Sequence, residues 1–149
     1  VNRKFAVLLL LGGLAASALQ GVELGVIGGP VGNPQTFVYG FSVGSGLIVP
    51  MLKIEFEGFR LINEPGNYLT VGVKLRPKIG KIAPYGVLGA GVGFDRLNFN
   101  FDEYRFFTLY GFGTYLFMGD ILAFRVDIRW IDLSAGNRFR LTAGIYLSI

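Results

Sequence analysis

Along most of the chain, apolar and polar positions alternate with a period of two, the pattern of strands whose two faces meet different surroundings. Near the C-terminus Phe124, Val126, Ile128 and Trp130 alternate with Ala123, Arg125, Asp127 and Arg129. Phe139, Leu141, Ala143, Ile145, Leu147 and Ile149 then alternate with Arg138, Arg140, Thr142, Gly144, Tyr146 and Ser148. Upstream, Leu52, Ile54 and Phe56 stand against Lys53, Glu55 and Glu57, and Leu69, Val71, Val73 and Leu75 against Thr70, Gly72, Lys74 and Arg76. Four glycine-rich copies complete the set. They are Val22, Leu24 and Val26 against Gly21, Glu23 and Gly25; Phe37, Tyr39, Phe41 and Val43 against Val38, Gly40, Ser42 and Gly44; Leu88, Ala90, Val92 and Phe94 against Gly89, Gly91 and Gly93; and Tyr110, Phe112, Thr114 and Leu116 against Gly111, Gly113, Tyr115 and Phe117.

Turn chemistry falls between these runs, at Gly28-Gly29-Pro30, Pro50, Asn63 to Asn67, Pro77 to Lys81, Asp95 to Arg105, Gly119-Asp120 and Ser134 to Asn137. The runs count to eight strands. An even number of antiparallel strands of about ten residues predicts a closed up-and-down barrel, since closure leaves no unpaired edge. Ahead of them, Asn2-Arg3-Lys4, the apolar run Phe5 to Leu14 and the small residues Ala15-Ala16-Ser17-Ala18 have the layout of a signal peptide. An apolar core of about ten residues is half of the roughly 20 needed to span a bilayer as a helix. The expected organisation is a signal peptide at 1–18 and a barrel domain at 19–149.

Composition sharpens this picture by exclusion. Of 149 residues 23 are Gly and 52% are apolar, only 16% are charged, and the mean hydropathy is +0.51, so the apolar surface has to go somewhere. Without Cys or His there is no thiol nucleophile, imidazole base, disulfide or common zinc site. The net charge of +4 points weakly to nucleic acid. With Arg3 and Lys4 assigned to the leader, 12 basic residues face 10 acidic ones in no basic run, and no nucleic-acid partner is expected.

Alternation alone does not say which face points inward; the composition of the faces does. A water-soluble barrel would carry exposed charges of both signs outside. Here the polar face is crowded with glycine, which suits a narrow interior, while the other face carries large Leu, Ile, Val and Phe without a charge in these runs. A continuous apolar outer band suits lipid, where a closed barrel pairs every backbone group internally.

The chain resembles the small eight-stranded outer-membrane barrels of the OmpA/OmpX type. The resemblance is carried by the leader, by Gly89-Ala90-Gly91-Val92-Gly93 and Gly111-Phe112-Gly113, and by the closing run Leu141 to Ile149, which is similar to the family's C-terminal assembly signal but ends in Ile149 where that signal has an aromatic residue. It implies an all-β transmembrane barrel in a Gram-negative envelope, partnered by outer-membrane lipid and, through the last strand, by the insertion machinery. It also implies periplasmic termini and outer loops near 28–35, 61–67, 95–105 and 132–138. Tyr68, Tyr85, Phe106, Phe117, Trp130 and Phe139 are then expected in the interfacial aromatic girdles.

Inside such a barrel Glu23, Glu55, Glu57 and Asp127 share a narrow lumen with Lys53, Lys74, Arg76, Arg125, Arg129 and Arg140. Charges withdrawn from water need partners, so a salt-bridge network closing the lumen is expected. Arg60, Arg96, Arg105 and Arg138, near the outer loop ends, are candidate contacts to lipid phosphate.

No catalytic, cofactor or metal site emerges. Gly89-x-Gly91-x-Gly93 has Phe94 where a dinucleotide loop needs glycine and no helix pattern after it. Glu55 and Glu57 share a strand face, but their basic neighbours hold both ionised, against acid/base work. Enzymes among outer-membrane barrels of this size, the lipid A deacylases and palmitoyl transferases, rely on His. The expected function is therefore a structural or envelope-integrity role. Adhesion or partner binding through the 95–105 loop comes second, and a narrow porin-like channel for ions or small solutes third.

Overall fold

The alternating runs become eight strands, β1 (Gln20–Gly32), β2 (Thr36–Gly46), β3 (Leu52–Leu61), β4 (Asn67–Leu75), β5 (Ile82–Phe94), β6 (Arg105–Met118), β7 (Leu122–Leu133) and β8 (Gly136–Ser148). The computed structural model describes residues 20–32, 35–47, 49–62, 64–95, 103–133 and 136–149; the leader at 1–18 and Arg96 lie outside them. Each strand pairs antiparallel with the next, and β1 pairs with β8 to close the barrel. At the seam the Val22 and Ile149 backbones exchange two hydrogen bonds, of 3.1 and 2.8 Å. A register shift between Gln20 and Val22 puts Gly21 at a positive φ of 64°, a conformation open to glycine at little cost. No helix among the described residues is long and apolar enough to cross a membrane.

Side-chain direction follows the predicted parity. Glu55, Glu57, Lys74, Arg125, Asp127, Arg129 and Arg140 are buried inside, while Phe56, Val73, Leu88, Phe112, Val126 and Ile145 stand exposed outside. Two expectations need correction at the loop end. Gly28-Gly29-Pro30 continues β1 instead of turning, because Gly29 pairs with Val38 and Pro30 with Phe37, and Gly136 and Asn137 already belong to β8. The connections expected at 28–35 and 132–138 thereby shrink to residues 33–35 and 134–135. Three of the expected girdle rings also point the other way. Tyr68 and Tyr85 are buried in the lumen, and Phe117 leans on its core, because each lies on the inner parity of its strand. Phe106, Trp130 and Phe139 keep the outward direction, with Trp130 stacked on Tyr110 at 5.6 Å.

The inner glycines are a packing requirement. A Cβ on Gly89 would lie 2.3 Å from the Val71 carbonyl oxygen and 2.8 Å from Gly72 Cα, both unyielding backbone atoms. On the outer face of the same strand, Gly86 has nothing closer than 4.0 Å. We therefore expect Gly89→Ala to cost about 1–3 kcal/mol through overpacking. Gly86→Ala should be neutral, or stabilising by about 0.5–1 kcal/mol, the usual gain on replacing a strand glycine. Urea unfolding of the two variants refolded in lipid vesicles checks the contrast, and equal effects would contradict it.

Candidate functional site

The lumen is layered by chemistry. In its middle, β3 presents Glu55 and Glu57, β4 presents Lys74, β7 presents Arg125, Asp127 and Arg129, and β8 presents Arg140 and Thr142. In an eight-stranded ring β3 and β7 are separated by three strands on either side, so they form opposite walls. Their long side chains meet across the diameter. Arg125 Nη2 donates to Glu57 Oε1 at 2.6 Å, Arg129 Nη2 to Glu55 Oε1 at 2.7 Å, and Arg140 Nη2 to Glu57 Oε2 at 2.7 Å. The flanking walls leave room because β2, β5 and β6 carry Gly40, Gly44, Gly89, Gly91, Gly111 and Gly113 at inner positions.

Neutral groups complete the shells of Glu55 and Asp127, whereas Glu57 is held by arginines alone. Glu55 accepts from Ser42 Oγ at 2.9 Å and is also paired with Lys74 and Arg125. Asp127 accepts from the Tyr85 hydroxyl at 2.6 Å, from Arg129 Nε at 3.0 Å and from Thr142. Lys74 Nζ donates to the Tyr115 hydroxyl at 2.8 Å and lies 4.5 Å from the Tyr85 ring centroid. The Arg125 guanidinium covers the Tyr146 ring at 4.7 Å, and that of Arg140 covers Phe59 at 4.9 Å. All seven charged groups are 3% exposed or less.

Three carboxylates thus face four cations, so donors outnumber acceptors. Consistently, Arg125 Nε, Arg140 Nε and the Tyr146 hydroxyl are buried without a hydrogen-bond partner among the described residues. Toward the chain termini a separate bidentate pair joins Arg76 to Glu23, with Nη1 to Oε2 at 2.7 Å. Lys53, half-buried near that end, makes no salt bridge within 4 Å among the described residues but lies in the field of the Glu23 carboxylate. Toward the loops the lumen turns apolar, with Val31, Val38, Leu61, Leu109 and Ile131 around a stack of Phe59 on Tyr68 at 5.1 Å and Phe107 edge-on to Tyr68 at 6.1 Å.

The structure therefore brings seven of the ten predicted lumen charges into one network, sets Glu23 and Arg76 apart as a pair, and leaves Lys53 without a salt bridge among the described residues. Sequence reasoning missed the hydroxyl partners Ser42, Tyr85, Tyr115 and Thr142, although strand parity already placed Ser42, Tyr115 and Thr142 on the inner face. The four outer arginines separate as well. Arg105 pairs with Asp95 at 3.0 Å and Arg138 with Glu64 at 2.8 Å, Arg60 is exposed on the outer face, and Arg96 lies outside the described residues. No group of acidic residues among those described is placed to hold a metal ion.

This all-β ring of eight antiparallel strands is the fold of the small outer-membrane β-barrels. Among solved structures, the N-terminal β-barrel domain of Pseudomonas aeruginosa OprF superposes with a TM-score of 0.73 at 14% identity, covering 87% of this chain and 100% of that one. De novo designed transmembrane β-barrels give 0.67 at 18% identity, over 87% of this chain and 95% of theirs. The Yersinia pestis outer membrane protein Ail, determined in a phospholipid bilayer nanodisc, gives 0.53 at 15% identity, over 87% of this chain and 100% of that one. No family model and no curated protein matches the sequence.

Proposed function

We propose that this protein is an integral outer-membrane β-barrel with a structural, envelope-integrity role and no catalytic activity, its lumen closed to solutes by the charged network. One observation carries the membrane reading. Every strand presents an exposed large apolar residue to the outside, in chain order Val26, Phe41, Phe56, Val71, Leu88, Phe112, Val126 and Ile145, each 40–69% exposed. Such a belt is an aggregation hazard in water and a matched surface in hydrocarbon. Export through the 1–18 leader and insertion through β8 complete the route, leaving the termini in the periplasm.

Closure is supported by the crossing pairs, in which Arg125 and Arg129 reach the opposite wall and Arg140 of β8 joins them on Glu57, and by the little room that eight strands leave beyond side chains. The adhesion alternative rests on the 95–105 loop, of which 96–102 lie outside the described residues.

Two measurements test the proposal. Cell fractionation with N-terminal sequencing should find the protein in the outer membrane beginning at Leu19. Planar-bilayer recording of the refolded barrel should give no steady unitary currents. Material starting at Val1 in the inner membrane would overturn the first half, and steady single-channel currents would replace closure by conduction.

A further inference from the structure

The barrel end that carries the chain termini is stitched together, basic, and ringed with exposed apolar side chains. Its floor is the Arg76–Glu23 pair beside Phe117, which leans on the lumen core. Three short connections, 47–51, 76–81 and 119–121, form its rim. Ile79 and Ile82 exchange two backbone hydrogen bonds, of 2.8 and 3.1 Å, around Gly80 at a positive φ of 63°. Neighbouring strands hold the rim as well, since Arg76 N donates to the Met51 carbonyl at 2.7 Å and Phe117 N to that of Lys81 at 2.8 Å. A surface fixed in this way loses little entropy when a partner settles on it.

Charge at this end has one sign. Lys78 Nζ lies 4.6 Å from the Phe117 ring centroid, which draws it over the lumen mouth. Lys53 stands on the inner parity of β3, and Lys81, one position ahead of the outward Ile82, on that of β5. None of the three makes a salt bridge within 4 Å among the described residues, because Glu23 is held by Arg76. Against them stands Asp120, exposed in the 119–121 connection. Among these charges Val49, Met51, Ile79 and Ile121 are 52–68% exposed, at least one on each connection. Lys78 and Lys81 flank Ile79 in one tight turn, and an ammonium in hydrocarbon is costly, so this tip stands beyond the acyl chains. Exposed apolar side chains set among like charges mark an interaction surface.

Two features select the partner. A lysine ammonium is a compact point charge without a planar fork, so lysines on separate elements suit carboxylates placed singly along a chain. The apolar side chains between them give a glycan or an inorganic polyanion nothing to bury, but they match the apolar residues of a polypeptide. We propose that this end of the barrel docks an acidic protein segment in which carboxylates alternate with apolar side chains. Lys53, Lys78 and Lys81 take the carboxylates, and Met51, Ile79 and Ile121 take the apolar groups. This rests on the membrane reading above, which turns the termini toward the periplasm.

Fluorescence anisotropy of a labelled peptide of alternating Glu and Leu, added to the protein refolded in phosphatidylcholine nanodiscs, tests it. Binding should weaken as salt is added. Affinity should fall about tenfold or more in the triple variant Lys53→Gln, Lys78→Gln, Lys81→Gln, and about threefold in Ile79→Ser, while Arg60→Gln at the loop end stays within about twofold. Circular dichroism verifies folding, and Lys78→Gln with Lys81→Gln, both in an exposed turn, replaces the triple variant if Lys53→Gln impairs it. Unchanged binding by the folded lysine variant overturns the site. Equal competition by tripolyphosphate overturns the assignment to a protein segment. So does a lysine-dependent retention of phosphatidylglycerol over phosphatidylcholine in native mass spectrometry without peptide binding, which gives the lysines to lipid. Flotation with lipid vesicles is measured alongside: a protein that fails to float overturns the membrane reading, whereas one that floats and ignores the peptide overturns the docking surface alone.

Discussion

Glu55→Gln is expected to destabilise the barrel by about 3–5 kcal/mol, the cost of breaking a buried ion pair by removing one partner. Glu55 is the point where Lys74, Arg125 and Arg129 converge, with Ser42 as a fourth donor. Its neutralisation would leave four buried cations facing Glu57 and Asp127 alone. The opposite partner of the same salt bridge should behave differently. Lys74→Met removes the surplus positive charge and leaves each carboxylate with at least two arginines, so about 1 kcal/mol is expected, the net worth of an ordinary hydrogen bond. The double variant should recover part of the Glu55→Gln loss. A double-mutant cycle, read by urea unfolding in lipid vesicles, measures this coupling. Equal losses for the two single variants would mean that the excess of cations has no energetic weight.

Ile128→Arg is expected to cost about 2–4 kcal/mol, the penalty for a cation on the lipid face near the bilayer midplane. Ile128 lies in the middle of β7, pairs with Phe112 and Leu141 on the adjoining strands, and points away from the lumen. Ile128→Phe should be tolerated if, as proposed, the outward side meets fluid acyl chains instead of a packed core. Asp127, one residue earlier, faces inward and accepts from Tyr85, Arg129 and Thr142, so Asp127→Asn should cost a few kcal/mol, in the range for a broken buried pair. The comparison decides the solvent of the outer face. A tolerated Asp127→Asn together with a damaging Ile128→Phe would contradict a lipid-facing belt.

The sequence by itself determined the number of strands, their inner and outer parity, and the set of charges enclosed. Each of these is a local property, because a strand that separates two environments must alternate between them residue by residue. Glu55 and Glu57 could be placed on one face with Lys53 from their spacing alone, and Arg125, Asp127 and Arg129 likewise. Their meeting could not be read there. Glu55 and Arg125 are 70 residues apart, and they touch because closure sets β3 opposite β7 and the stagger of the strands brings their levels into line. Had the registers slipped by two residues, the parity would be unchanged and the partners different.

Three of the six aromatic assignments, Tyr68, Tyr85 and Phe117, failed for a related reason. Tyr68 and Tyr85 stand near strand ends, as girdle residues do, but a ring at a strand end faces lipid or lumen according to parity, and theirs is inner. Inner parity was read as polar or small, yet at the loop end it carries Val38, Leu61, Leu109 and Ile131. Where the strands run on past the charged layer, the barrel needs a packed apolar plug, and the height of each layer along the axis is defined only once the eight strands are set in register. Tertiary structure likewise decided which outer arginine among the described residues makes no ion pair. Arg138 reaches Glu64 across 74 residues, while Arg60, closer to Glu64 in the chain, points out from its strand and is left to the solvent or the lipid.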